Sequence, residues 1–389
     1  MNFFILGNNP ALSVAEISAI YSGNKTGEFL QPDVFLLEEE IDSKALIKRL
    51  GGTIKIGKIL KSIPREDKEE IKKELFNIIE NKSKNSEGKF KFGISCHGKC
   101  GIQSREVGID IKKRLKDSGA SIRFVISKEK TLSSVVITQN KLDTKGIEVV
   151  LILKGKDVLI GYTEAVQDFK GLSFRDYGRP ARDDHSGMIP PKLAQIMLNL
   201  SGKIEKDATI LDPFCGSGTF LMEAALMGVK NVIGSDASSK AIADSEVNME
   251  WAANKLQIAN CKLQIFKSSA TEISNHLDRK TIDAVVTEPF LGPQRGKPEA
   301  VKVIKELNKL YSDSLEEFAK VLKKDGVVVM IWPVLIRGDR KFFMNPELDR
   351  FKIQRILPHI KGLDTTERGS LIYGREGQKV HREIVILKK

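Results

Sequence analysis

The stretch LDPFCGSGT at residues 211–219 constrains this chain more than any other feature. It joins an apolar, strand-like run, TILD, to a helical run, TFLMEAALMG. A glycine-rich turn between a strand and a helix is the joint of a parallel α/β sheet. Glycine tolerates left-handed turns and lets a ligand approach the backbone at the helix's positive end. The carboxyl-terminal half then keeps alternating: NVIGSD, SSKAIADSEVNMEWAAN, a strand near 263–266, IDAVVTEPF, a helical stretch over 299–323, VVVMIW and EIVILKK. Strands alternating with helices predict a Rossmann-like α/β domain with a mostly parallel sheet.

In an open parallel sheet, ligands bind at the carboxyl ends of the strands. The acids standing there are Asp212, Asp236 and Glu288. Gly216 and Gly218 admit a ligand to the loop beside Phe214, and Asp236, followed by Ala237, is placed to accept both hydroxyls of a ribose. That much also suits a nicotinamide dinucleotide. Two features separate the readings. Leu221 replaces the third glycine of the dinucleotide fingerprint, and Asp212 puts a negative charge before the loop, where it repels a pyrophosphate and attracts an ammonium group. S-adenosylmethionine carries a ribose and an ammonium group, and it is the expected cofactor.

A third element, TEPFLG at 287–292, closes a later strand. An exocyclic base amine is a poor nucleophile because its lone pair is delocalised into the ring. A catalyst for it must accept hydrogen bonds from the N–H groups and align the amine with the methyl donor. Glu288 and the carbonyl beside Pro289 suit that task, and Phe290 suits stacking on a base swung out of its helix. The bland alternative is a Glu-Pro-Phe strand terminator.

The amino-terminal half differs in composition. Residues 81–130 hold 13 Lys/Arg against 5 Asp/Glu, a net +8 of the chain's +12. Such a concentration suits a polyanionic partner, although a solvated lysine-rich surface accounts for it too. In EVGIDIKKRLKDSG, Val107, Ile111 and Leu115 recur on one helical face and leave Lys112, Lys113 and Lys116 off it. With Lys89, Lys91 and Arg123 on neighbouring strand-like runs, these are the candidate RNA-binding residues. FFILG, VFLLEE, KFKFGIS, SIRFVIS and SVVIT read as strands, ALSVAEISAIY and 68–81 as helices, and EVVLILKGKDVLIGYTEA as a hairpin.

At 389 residues, 41% hydrophobic and 29% charged, the chain suits two or three globular domains rather than a disordered or fibrous one. MNFFILGNNP lacks the basic stretch and cleavage site of a secretory signal, and no apolar run approaches membrane-spanning length. Four cysteines in so long a chain suit reduced thiols and a cytoplasmic location. Cys96-His97-Gly98-Lys99-Cys100 reads as a strand-end turn rather than a metal site, since no second Cys/His pair follows, and Cys215 has no nearby histidine to make it a nucleophile. His185 and His359 read as loop residues. No metal is expected.

LDPFCGSGT, GSD and the Glu-Pro-Phe element together resemble the amino-methyltransferases of nucleic acids, whose signature is Asp/Asn-Pro-Pro-Tyr/Phe. RDYGRPARDDHSGMIPPKLAQIMLNLSG at 175–202, with ILGNNPALSVAEISAI near the start, is similar to the tRNA guanosine-N2 methyltransferases that carry a THUMP RNA-binding domain. The resemblance implies an α+β ferredoxin-like part at 1–62, a THUMP-like RNA-binding domain at 63–168, a linker at 169–186 and the class I methyltransferase domain, with a mostly parallel seven-stranded sheet, at 187–389. It also implies tRNA as partner and guanine N2 as target, of the position-10 type, with no membrane association and a monomer favoured. Transferred by position, Asp212, Gly216 and Gly218 match the methionine-binding loop, Asp236 the ribose acid, Pro190-Pro191 the element beside the methionine moiety, and Ser269-Ala270 the usual Asp-Ala beside the adenine. In the catalytic element, a gapless match sets Glu288 on the family's Asp, whereas matching the aromatic sets Thr287 there. A DNA adenine-N6 or cytosine-N4 methyltransferase and a non-catalytic RNA-binding paralogue are the alternatives.

Overall fold

The computed structural model describes residues 1–21, 27–84, 86–182, 188–256, 258, 261–293 and 299–389. Two compact units share the chain. One comprises residues 1–8, 24–48 and 53–169, the other residues 9–23, 49–52 and 170–389. Up to residue 177 the elements are β1 (Asn2–Leu6), α1 (Pro10–Ile20), β2 (Glu28–Leu30), β3 (Val34–Leu37), α2 (Ser43–Arg49), β4 (Thr53–Pro64), α3 (Lys68–Lys84), β5 (Phe90–His97), α4 (Ser104–Asp117), β6 (Ile122–Phe124), α5 (Ser134–Asn140), β7 (Ile147–Lys154), β8 (Asp157–Val166) and α6 (Phe169–Tyr177).

The first unit is one eight-stranded sheet in the order β2-β3-β1-β4-β8-β7-β5-β6. Its pairs are antiparallel except those of β5, which runs parallel to β6 and β7. β4 pairs with β1 on one side and β8 on the other, so the stretches expected as 1–62 and 63–168 share a sheet. Helices α3 and α4 lay Ile71, Leu75, Ile79, Val107, Ile111 and Leu115 against Phe90, Phe92 and Ile94 of β5. Each such fully buried side chain contributes roughly 1.5–3 kcal/mol. Beneath them Glu148 of β7 is wholly enclosed, paired with Lys55 of β4 and bonded by the hydroxyls of Ser95 and Thr163, which ties four central strands together.

SVVIT is not the expected strand. It is helix α5, because the Ser133 side chain accepts the Val136 N–H at the front and Lys141 adopts a left-handed φ of 57° at the back. Between these caps only Ile137 is buried, so a run of strand-like composition is held as a helix by its two ends and one apolar anchor.

The second unit continues with α7 (Pro191–Leu200), β9 (Thr209–Asp212), α8 (Thr219–Leu226), β10 (Asn231–Asp236), α9 (Ser239–Leu256), β11 (Lys262–Lys267), a 3-10 turn (Ala270–Asn275), β12 (Ile282–Thr287), α10 (Ala300–Val321), β13 (Leu322–Arg337), β14 (Arg340–Phe342), β15 (Lys352–Gln354), β16 (Leu371–Tyr373) and β17 (Val380–Lys388). The main path runs β11-β10-β9-β12-β13-β17-β15, seven strands of which β17 alone opposes its neighbours. β13 is far longer than the expected strand and overruns the parallel ladder, where β14 and β16 pair with its own end and that of β17. Trp332, Tyr311 and Phe318 fill the core between α10 and the sheet.

Helix α1 belongs to this unit although it lies near the amino terminus. It forms as its apolar spacing predicts, with Asn9 capping Leu12 N–H. Its Glu16 is enclosed and accepts Gly51 N–H and Gly52 N–H, each at 2.9 Å, and Asn199 Nδ2 of α7 at 2.7 Å. Burial pushes this carboxyl up to about 7, against those bonds and the Arg49 charge. The expected linker begins as helix α6, and His185 lies outside the described residues. Among the described residues, no helix is long and apolar enough to cross a membrane.

Candidate active site

β9, β10 and β12 lie side by side, with Asp212 opposite Gly234 and Leu211 opposite Val285. Their carboxyl ends therefore deliver Asp212, Asp236 and, one residue past β12, Glu288 to one edge. Between Asp212 and α8 the chain turns through Gly216 at φ 51° and Gly218 at φ 83°, conformations that side chains resist. A Cβ on Gly216 would meet nothing within 4 Å, so the loop leaves open space where the backbone can touch a ligand. Leu221, where the dinucleotide fingerprint has glycine, reaches Gly234 of β10. The close approach is kept by exchanging which partner is small.

Asp212 is 1% exposed. One of its oxygens, Oδ1, accepts the Thr287 hydroxyl at 2.6 Å and Phe214 N–H at 3.2 Å. Burial pushes its carboxyl from the usual 3.8 up to about 7; Thr287 and Phe214 N–H pull it down, while the charges of Asp236 and Glu288 add to the rise. The three acids thus feel one another. Thr287 supports Asp212, and Glu288 is the acid that the TEPFLG turn presents at this edge.

Asp236 is anchored from both sides, accepting Gly216 N–H at 3.1 Å and Ser238 N–H at 2.9 Å. A carboxylate oxygen has two lone pairs, so each keeps one for a further donor. Phe214 is half-buried against the core of this unit, and Ala237 is exposed beyond the strand. Pro190 and Pro191 form the N-cap and first residue of α7. Ser269 spends its hydroxyl locally, capping the 3-10 turn through Thr271 N–H at 3.3 Å, and Ala270 is buried in the core. Cys215 is buried as well, and burial raises its thiol pKa, which suits packing rather than attack.

Glu288 has a cationic partner that no local motif reveals. Arg382 of β17 donates Nε to one oxygen and Nη2 to the other, with both side chains largely enclosed. Burial raises the Glu288 pKa and the Arg382 charge opposes the rise. Pro289 is buried, whereas Phe290 is 58% exposed and its carbonyl accepts the Tyr311 hydroxyl at 2.7 Å. Sequence reading missed Tyr311 and Arg382 because they come from α10 and β17, remote in the chain and without a local motif.

On the first unit, Lys112, Lys113 and Lys116 ride α4, while Lys91 of β5 stands beside Arg123 of β6 and Lys89 just precedes β5. None of the six has a carboxylate partner among the described residues; neighbouring Arg114 pairs with Asp110 and lies over the Phe76 ring. Cys96 and Cys100 are buried around the turn that ends β5, and no group of His, Cys, Asp and Glu among the described residues is arranged to hold a metal.

Comparison with known proteins adds relatives. The family described as RMKL-like, methyltransferase domain, matches residues 179–342. One described as DNA methylase matches 62–247, a span that begins in β4, ends in α9 and bounds neither unit. The tRNA (guanine(10)-N2)-dimethyltransferase of Methanocaldococcus jannaschii is 32% identical over 155 residues, so the match spans 40% of this chain and 40% of that relative's length. The protein of that name from Pyrococcus abyssi is 24% identical over 336 residues, covering 85% of this chain and 87% of the relative. In Methanothermococcus thermolithotrophicus a protein named "Probable tRNA (guanine(10)-N2)-dimethyltransferase" is 33% identical over 141 residues, covering 36% of this chain and 77% of the relative. The crystal structure of TrmN from Thermus thermophilus matches with a TM-score of 0.54 at 16% identity, covering all of both chains. That likeness is one of fold: the second unit is a class I methyltransferase domain.

Proposed function

The chain belongs to the tRNA (guanine(10)-N2)-dimethyltransferase family, and from that premise we propose that it methylates the N2 amine of a guanine in tRNA. The observation that carries the reading is the convergence of Asp212, Asp236 and Glu288 at one sheet edge beside an exposed Phe290. When bound, S-adenosylmethionine supplies an electrophilic methyl group on a sulfonium. The residues present fit that cofactor. Asp236 keeps a lone pair on each oxygen for ribose hydroxyls, Gly216 leaves room for contact with the backbone, and Asp212 offers a negative end to an ammonium group.

The rest falls to the catalytic element. Phe290 stacks on the guanine, and Glu288 accepts a hydrogen bond from its N2 amine and holds it in line with the methyl group. Arg382 fixes the carboxylate and favours its ionised, accepting form, leaving other lone pairs free. The lysines of α4 and the basic residues of β5 and β6 beside it bind the phosphates of the same tRNA, in the role of a THUMP-like module. A tRNA substrate places this work in the cytoplasm.

The test is Glu288→Gln and Glu288→Ala assayed on tRNA with labelled methyl donor. Both are expected to lose about a hundredfold or more in kcat, by analogy with removing one stabilising group from an active site, while S-adenosylhomocysteine still binds. Full methylation by Glu288→Ala would refute the assignment, and failure of the wild-type protein to bind S-adenosylhomocysteine would refute the enzyme reading.

A further inference from the structure

Strand β13 does not stop where the parallel ladder does. Its last partner on β12 is Thr287, opposite Met330, and β13 runs on to Arg337, past the edge at which Glu288 stands. Two turns close the overrun. The β13–β14 hairpin turns through Gly338 at φ 57° and the β16–β17 connection through Gly377 at φ 82°. Ile336 N–H donates to the Lys379 carbonyl at 2.8 Å, so the two turns lie side by side. Residues 337–341 and 375–379 together carry five cations against two acids, a net +3.

Arg337, Arg340, Lys341, Arg375 and Lys379 have no carboxylate partner among the described residues; Arg337 Nη1 donates instead to the Ile336 carbonyl at 3.0 Å. Glu288 and Glu383 are taken by Arg382 and Arg368, and the turns' own Asp339 and Glu376 form no ion pair among the described residues. Arg337 stands directly opposite Arg340. Like charges so placed weaken a hairpin, so this pair does not serve the fold, whereas an anion from outside relieves the repulsion. Just beyond, Phe343 is 37% exposed, with Arg368 Cζ 5.5 Å from its ring centre. Cations beside an exposed aromatic ring make a surface suited to a nucleic-acid strand.

This basic rim lies close to the reacting groups. Arg382, which holds Glu288, stands opposite Pro333, and strand alternation puts Pro333, Arg337 and Arg340 on the same face. Arg337 lies four residues beyond Pro333 and Lys379 three from Arg382, about 13 Å and about 10 Å along the strands. A base swung out of its helix stays joined to its own backbone, so its phosphates come to the same edge. We propose that the β13–β14 hairpin and the β16–β17 turn form a second RNA contact, on the methyltransferase domain itself, that grips the phosphates flanking the target guanine. This rests on the reading of the site as one for a base in tRNA. The contact is separate from the basic surface of α4, which belongs to the other unit.

The experiment measures tRNA binding by the full-length protein as a function of salt. One variant combines Arg337→Glu, Arg340→Glu and Lys341→Glu, and another combines Arg375→Glu and Lys379→Glu. Both are expected to bind tRNA about tenfold or more weakly and to lower the slope of log affinity against log salt by about 2–3 and about 2, with S-adenosylhomocysteine affinity held within about twofold. A synthetic tRNA with uncharged methylphosphonates on either side of the target guanine locates the contact. It should bind the wild-type protein more weakly than unmodified tRNA does, and that difference should vanish in the first variant. An unchanged salt slope in both variants, or a methylphosphonate loss as large in the first variant as in the wild type, overturns the proposal and leaves the two turns as solvated surface. Where a charge-reversed variant fails to fold, the wild-type arm still answers: indifference to the flanking phosphates refutes the contact. Wild-type protein that binds no tRNA at all overturns instead the tRNA reading beneath it.

Discussion

Acidification is expected to release the cofactor product, S-adenosylhomocysteine, with a midpoint near pH 7, through Asp212. The enclosed carboxyl is pushed up to about 7 mainly by burial, so below that pH the ligand-free site holds a proton. A ligand ammonium beside Asp212 favours the ionised form, and binding must expel the proton first. If Asp212 stays ionised in the complex, the apparent Kd rises by the factor 1 + 10^(pKa − pH). That is about 1.1-fold at pH 8, about twofold at pH 7 and about 11-fold at pH 6, or about 1.4 kcal/mol per unit at the acid end. Titration calorimetry between pH 5.5 and 8, in buffers of different ionisation enthalpy, measures both the Kd and the release of about one proton at pH 6. Thr287→Val removes a bond that favours the ionised form and should move the midpoint upward. Asp212→Asn should bind weakly at pH 8 and lose the pH dependence. A Kd that changes less than twofold from pH 8 to pH 6 would refute the reasoning. For stability the sign is opposite: folded Asp212 keeps its proton between about 4 and 7 where the unfolded chain has lost it, so this group alone makes the ligand-free protein less stable as pH rises through that window.

Arg382→Ala should leave Glu288 buried without its cation, raise its pKa further and shift the acid limb of the kcat profile upward; an unmoved limb with unchanged rate would show that the pair does not serve the reaction. Glu16→Ala strands the N–H groups of Gly51 and Gly52 and should cost about 3 kcal/mol, read from the urea midpoint, with a loss under about 1 kcal/mol counting against the network. Lys112→Glu with Lys113→Glu and Lys116→Glu should weaken tRNA binding and lower the salt slope by about 2–3, leaving S-adenosylhomocysteine affinity intact; an unchanged slope would remove α4 from the RNA interface.

The carboxyl-terminal half was legible because its signals are local. A strand of four to six residues, a glycine turn and an amphipathic helix each carry their pattern within a short window, and the three acids stand at strand ends whatever the rest of the chain does. The amino-terminal half was less legible. β4 carries alternating residues through a lysine-rich stretch and escaped notice, while SVVIT has strand composition and became a helix between two caps.

The order of chemistry along the chain was thus set by the sequence itself: an acid before a glycine loop, an acid after the next strand, a Glu-Pro-Phe turn, and basic residues concentrated upstream. Tertiary structure alone decided which of these groups are free. Arg382 reaches Glu288 only because β17 folds back beside β13, Asn248 of α9 ties Ala181 to the glycine loop at Ser217, and Glu16 of α1 accepts from two glycine N–H groups and Asn199. Such partners are chosen by which strands and helices pack together, and a pairing between groups far apart in the chain leaves no periodic trace in either neighbourhood.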